Sequence, residues 1–308
     1  MRNERRSLMR YAEKLARGLA IGLGAVFLMS CAGSAGGAEA NGGVSAPAAS
    51  DAASPKPAPA ADAKPAVSAP APNAHPVTIV VLGSSSPAGK NIYKLFNRPK
   101  AEEQQYADKY NWVTLYDARL KTFDAQNRAV NLAAASGHST SIALNEKKGG
   151  PLYRNSLDYA LQTYPQADAM IVNFPAIRGQ EGETVASVVA NLEEIEKRAL
   201  AAGVGKVWIA TAQPAANKTE CFKNETGACD ATLTIYQSRI DLTNAIIAAF
   251  PGRSLDFHTP LAKGGSRTGV ADPAFLNPVD KLHPNLEGHE KLLDAVIAAG
   301  VYEQAAKN

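Results

Sequence analysis

Beyond Pro76 the chain alternates short, β-branched apolar runs with longer stretches of helical periodicity, and that alternation admits few folds. The runs at Val77–Leu82, Ala129–Ala133, Ala169–Phe174, Val207–Thr211 and near Leu255 read as strands. The clearest helical stretch is Glu183–Ala202: Val185, Val188, Val189, Leu192, Ile195 and Ala199 follow the i, i+3, i+4, i+7 rule, and Gly203 ends the run. Further helices are expected over about Thr234–Phe250 and Gly288–Ala299. Strands apolar along their whole length need both faces of their sheet covered, and helices between successive strands supply the cover. The prediction is an α/β fold, a three-layer α/β/α sandwich around a mainly parallel five-stranded sheet. In such sheets the reactive groups gather at the carboxyl ends of the strands, so the loops that follow each strand hold the candidate chemistry.

The first 76 residues do not share this pattern. Residues 1–31 read as a lipoprotein signal peptide: six basic side chains (Arg2, Arg5, Arg6, Arg10, Lys14, Arg17) lead into the apolar stretch Gly18–Met29, which is too short to span a bilayer comfortably. It ends in Leu28-Met29-Ser30-Cys31, similar to a bacterial lipobox, with Cys31 the residue that would carry lipid and become the new N-terminus; the competing reading is an ordinary signal or anchor helix with an incidental cysteine. Residues 32–76 contain 17 Ala, 8 Pro, 5 Gly and 5 Ser and no aromatic residue, too little apolar surface to offset the entropy of ordering, so they are expected to form a disordered tether. In a polyproline-type chain it would reach at most roughly 140 Å. The domain is then residues 77–308. Charge divides along the same line. The full chain carries 32 basic and 29 acidic residues, but loss of the signal removes six basic and two acidic ones and leaves 26 against 27. The basicity belongs to the address, and nothing in it argues for a nucleic-acid partner. The expected location is the bacterial cell envelope, periplasmic or at the outer membrane, with the membrane as a partner through Cys31.

Two loops of the domain carry candidate chemistry. The first strand ends in Gly83-Ser84-Ser85-Ser86-Pro87-Ala88-Gly89-Lys90-Asn91. As a phosphate loop this fails, because Ser84 stands where the first glycine is needed and Asn91 where a Ser or Thr follows the lysine. As a nucleophile turn it fares better: a glycine at the strand end lets the chain turn sharply, and a serine at the head of the next helix lies exposed beside backbone N–H groups. Near the C-terminus stands Asp280-Lys281-Leu282-His283-Pro284. An aspartate three residues before a histidine can hold the imidazole in the tautomer that accepts a proton from a serine.

With both pieces in place, residues 77–308 resemble the SGNH (GDSL-like) hydrolases over most of their length, and the resemblance implies a flavodoxin-like α/β/α domain with a serine nucleophile and no cofactor. The family's first block, usually Gly-Asp-Ser, is similar to Gly83-Ser84-Ser85 and makes Ser85 the nucleophile by position; its fifth block, Asp-x-x-His, is matched by Asp280 and His283. The second-block glycine, whose N–H would join that of Ser85 in the oxyanion hole, corresponds to Gly137, and a Thr-x-Gln-Pro segment found in one branch is similar to Thr211-Ala212-Gln213-Pro214. The third block departs from the pattern. Aligned on Pro175, Ile177 falls where the family's oxyanion-hole Asn belongs and Arg178 where its Asp belongs, leaving Asn173 or Arg178 as substitutes, Asn173 reading as a strand residue. Losing one such donor typically costs about a hundredfold to a thousandfold in turnover, far less than losing the nucleophile or the base.

The expected function is an envelope-anchored serine ester hydrolase that removes short acyl groups from glycan or lipid esters through an acyl-enzyme. The alternative is a weakened or inactive SGNH-like domain that binds an envelope glycan or protein. Cys221 and Cys229 flank a polar segment and, in an oxidising compartment, read as a disulfide worth about 2.5 kcal/mol; a zinc site is not expected, since no histidine neighbours them.

Overall fold

The structure, a computed structural model, describes residues 75–133, 138–145, 154–174, 183–218, 221–223 and 229–307. The expected signal peptide with Cys31, residues 32–74 of the expected tether, and Gly137 and Arg178 lie outside the described residues.

Strand β1 spans Thr78–Gly83 and is buried along nearly its whole length. Three helices follow, α1 (Ile92–Leu95), α2 (Glu103–Tyr110) and α3 (Trp112–Leu120), and then β2, Arg128–Asn131. Helices α4 (Thr140–Asn145) and α5 (Leu157–Thr163) precede β3, Ala169–Asn173. Helix α6 (Val185–Ala201) leads to β4 (Val207–Ala210), and a short hairpin of β5 (Cys221–Lys223) and β6 (Cys229–Thr234) leads to α7 (Ile235–Ala249). The described chain closes with β7 (Ser254–Leu255), α8 (Leu286–Ala298) and α9 (Val301–Ala305). Five strands form one all-parallel sheet in the order β2-β1-β3-β4-β7. Each expected strand and long helix is present, with ends displaced by one or two residues. The hairpin is an addition: Lys223 pairs with Cys229 and Cys221 with Thr234 in an antiparallel ladder, which places both cysteines on it, their side chains outside the description.

The alternation of side chains along each strand sorts the core into two layers. Val80, Leu82, Met170, Val172, Val207 and Ile209 point to one face and pack against Leu157 and Ala160 of α5, Val188, Leu192 and Ile195 of α6, and Leu242 and Ile246 of α7. Ile79, Val81, Ala169, Ile171, Trp208 and Ala210 point to the other, beneath Trp112, Val113 and Tyr116 of α3, Leu292 and Val296 of α8, and Val301 and Tyr302 of α9. Burying a large apolar side chain contributes about 1.5–3 kcal/mol, so the helices are held mainly by these faces. Caps set their ends: Thr184 and Ser187 form a reciprocal capping box at the start of α6, and the Asn285 side chain accepts from the Gly288 N–H, which starts α8 two residues before the sequence pattern suggests.

One close approach positions the site. A Cβ at Gly83 would sit 2.4 Å from the Asn173 carbonyl oxygen, which itself accepts from the Ser84 N–H at 3.2 Å. Only glycine lets the end of β1 lie this close to β3, and the close packing fixes where the following turn leaves the sheet.

Candidate active site

The chain does not pass from β1 straight into a helix, as the sequence suggests. Residues 84–91 form consecutive tight turns in which Ala88 N–H donates to Ser84 O, Gly89 N–H to Ser86 O and Lys90 N–H to Ser85 O. Gly89 and Asn91 both have positive φ, 71° and 64°, and such residues interrupt a right-handed helix, so α1 begins only at Ile92. The three serines of the turn therefore face different surroundings. Ser84 and Ser86 are buried, and Ser86 Oγ accepts from Gln213 Nε2 at 2.5 Å. Ser85 is partly exposed, with its Oγ 3.0 Å from His283 Nε2. Replacing Ser86 by Ala strands the buried Gln213 amide, so Ser86→Ala is expected to lose about 1–3 kcal/mol in urea unfolding while Ser85 keeps its reactivity toward a serine-directed fluorophosphonate.

The base comes from the far end of the chain. His283 Nδ1 lies 3.0 Å from Asp280 Oδ2. A carboxylate only accepts, so Nδ1 carries the proton and Nε2 is left to accept from the Ser85 hydroxyl. Asp280 Oδ1 accepts from the N–H groups of Leu282 (2.9 Å) and His283 (3.0 Å), and its Oδ2 also accepts from Asn91 Nδ2 at 2.5 Å. Burial by itself would raise the Asp280 pKa, but the bonds from His283, from the two backbone N–H groups and from Asn91 outweigh it and hold the carboxyl well below its ordinary range. The loop is fixed in turn by Asn277, whose N–H donates to His283 O and whose carbonyl accepts from Lys281 N–H, both at 2.8 Å.

Gln213, in the Thr-x-Gln-Pro segment after β4, holds Ser86, and its own carbonyl accepts from Arg239 Nη1 at 3.1 Å. Asn173 is the last residue of β3, opposite Gly83, fully buried and, among the described residues, with neither amide atom hydrogen-bonded. It is a strand residue, on the same face as Ala169 and Ile171 by alternation. Among the described residues the Ser85 N–H donates to no acceptor. No group of three or more His, Cys, Asp or Glu among them could hold a metal ion. The contact that sequence reasoning missed is Asn91 with Asp280; its only signal is an Asn just ahead of an apolar helical run, a residue type that tolerates positive φ.

The surroundings of the site are mixed. Val279 and Leu282 stand exposed on either side of Asp280 and Lys281. A cavity of about 400 Å³ opens beside the nucleophile turn, lined by Ala88, Gln104, Asp108, Asn131, Ala133 and Arg154. Asn131 ties this cavity to the turn by donating its Nδ2–H to Pro87 O at 2.8 Å.

A second histidine backs the first. His289, in the first turns of α8, is fully buried and accepts the Trp112 N–H on Nδ1 at 3.3 Å. Burial, with a smaller contribution from the charge of His283, pushes its pKa down to about 3. The folded chain thus refuses a proton that the unfolded chain takes up below pH ~6.5, so its contribution to stability is complete above that pH and is lost as pH falls, by up to ~1.4 kcal/mol per unit. Burial lowers the pKa of His258 too, and so acts with the same sign. The melting temperature should fall between pH 7 and pH 4.5, with a shallower slope in His289→Asn, whose side-chain oxygen can accept the Trp112 N–H without titrating.

Together these features define a Ser–His–Asp chain at the carboxyl ends of a parallel α/β/α sheet. No family model matches the sequence, and no curated protein matches it either. Solved structures do match. TesA is 18% identical, covering 72% of this chain and 97% of its own, with a TM-score of 0.47. The psychrotrophic esterase EstA from Pseudoalteromonas sp. is 16% identical over 73% and 97% (TM-score 0.46), and the lipase/acylhydrolase from Enterococcus faecalis is 15% identical over 74% and 96% (TM-score 0.46). At these identities and TM-scores no role passes from them to individual residues here, and the functional reading rests on the geometry of the site.

Proposed function

We propose that the domain is a serine ester hydrolase of SGNH type, held at the cell envelope by lipid on Cys31 and the Ala/Pro-rich segment that follows. The observation that carries this reading is the unbroken relay from Ser85 Oγ through His283 to Asp280, with both links at 3.0 Å and the aspartate kept ionised. Ser85 Oγ attacks the acyl carbonyl carbon as its proton passes to His283 Nε2, and Asp280 stabilises the imidazolium. The tetrahedral oxyanion is held by the Ser85 N–H, with the Gly137 N–H as the second donor that the sequence pattern supplies. The imidazolium returns the proton to the departing alkoxide. Water then attacks the acyl-enzyme, giving its proton to His283, which passes it to Ser85 Oγ as the acid leaves.

The polar cavity beside the nucleophile turn supports a hydrophilic alcohol, and so an acylated glycan ahead of a lipid ester. The Cys221–Cys229 disulfide expected of an oxidising envelope would need the β5–β6 ladder to rearrange, because that ladder sets Cys221 opposite Thr234 and Cys229 opposite Lys223. The test is hydrolysis of p-nitrophenyl esters of rising acyl length alongside acetylated oligosaccharides: acetyl esters should be favoured and acetate released from the sugars. Preference for long acyl chains with no acetate release would move the substrate to lipid, and no hydrolysis of any ester would leave a binding domain.

A further inference from the structure

Between β1 and the loop after β7 lie two other strands, yet the nucleophile and its base must meet to within a hydrogen bond. Asn91 spans that gap. It sits six residues after Ser85, is buried, adopts the left-handed conformation at φ 64°, and directs both its side chain and its carbonyl to the loop that carries the histidine. Its Nδ2 donates to Asp280 Oδ2, the same oxygen that accepts His283 Nδ1–H. Its carbonyl accepts from Asn277 Nδ2 at 3.0 Å, and its N–H donates to Glu103 Oε1 at 3.1 Å. One residue thus bonds to the catalytic carboxylate and to the hub of the loop that presents it, while being joined by a short stretch of tight turns to the nucleophile.

We propose that Asn91 is a positioning residue of this site: its amide fixes the rotamer of Asp280 and shares its charge, and its strained backbone sets the distance from Ser85 to His283. The kinetic part rests on the hydrolase reading above. An Asp280 carboxylate that loses this donor turns more freely and concentrates its charge on His283. The other charged groups at the joint are Glu103, paired with Lys90 Nζ at 3.7 Å, and the exposed Lys281; His289 behind it is neutral.

Glycine accepts positive φ freely, so Asn91→Gly removes the amide without refolding the turn. Its kcat on p-nitrophenyl acetate should fall about tenfold with KM within about twofold, the rate equivalent of one charge-assisted hydrogen bond. The acid limb of its pH–rate profile should move to higher pH, since a carboxylate with fewer donors stabilises the imidazolium more. The isosteric Asn91→Asp, which sets a second carboxylate against Asp280, should lose more rate and move the limb further the same way; it also gives the answer if the glycine variant does not fold. The His283 ring titration followed by NMR reads the same shift without turnover. A loss of rate with the limb and the titration unmoved would mean a merely structural residue, and wild-type kinetics in Asn91→Gly would overturn the proposal outright. If the wild type hydrolyses no ester, the hydrolase reading fails, while the His283 titration still decides the role of Asn91.

Discussion

Ser85→Ala should abolish ester hydrolysis, lowering kcat by about a millionfold, to the rate the emptied site supports through binding and oxyanion donors alone. The loss is chemical. Ser85 is partly exposed, and among the described residues its side chain bonds only to His283, so the alanine form should melt within a few degrees of the wild type. Its neighbours sharpen the expectation. Ser84 and Ser86 are buried, and Ser86 is held by Gln213, so neither can take over the attack. Full activity in Ser85→Ala, measured with p-nitrophenyl acetate and checked by circular dichroism for intact fold, would remove Ser85 from the mechanism.

Asp280→Asn should cost about ten thousandfold in kcat while KM changes little. The N–H groups of Leu282 and His283 keep an acceptor at the Oδ1 position, so an asparagine holds its oxygen there and presents its N–H₂ to His283 Nδ1; the imidazole proton then moves to Nε2, which can no longer accept from Ser85. The substitution has a stability component as well. The carboxylate accepts from His283 Nδ1, Asn91 Nδ2 and the N–H groups of Leu282 and His283, and the amide replaces a charge that all four donors were arranged to meet. Because those bonds hold the Asp280 pKa below its unfolded value, they stabilise the fold fully above pH ~4, and the stability they give is lost as pH falls through the folded pKa. Asp280→Asn should therefore be the less stable protein at pH 7, and the gap between the two should begin to narrow by pH 3, which thermal unfolding at the two pH values reads directly.

The sheet could be read from sequence because its strands are buried on both faces: Val80, Val81 and Leu82, or Ile171 and Val172, leave no polar phase to confuse the pattern. The parallel order followed from the helices between them. Short helices such as α1, α4 and α9 have too few residues to show a period, and the hairpin that carries Cys221 and Cys229 hides in a polar stretch. At the site, Ser85, Asp280 and His283 were legible because the chemistry needs those residue types at fixed spacing, and the structure brings the three together. What spacing alone could not show was which side chains brace them. The bonds from Gln213 to Ser86 and from Asn91 to Asp280 join residues more than 120 apart in sequence, and they exist only once the strand order is known. In the phosphate-loop alignment Asn91 is simply the wrong residue, and that comparison says nothing of its contact with Asp280. The same position becomes intelligible through its backbone, since Asn is among the few residues that enter the left-handed region readily.

If Ser85 is a nucleophile activated by His283, the intact mass of the folded domain after exposure to a fluorophosphonate records it. One adduct is predicted, mapping to the peptide that contains Ser85, absent from Ser85→Ala and retained by Ser86→Ala. A folded wild-type protein that takes up no adduct, or an adduct that persists in Ser85→Ala, would contradict it.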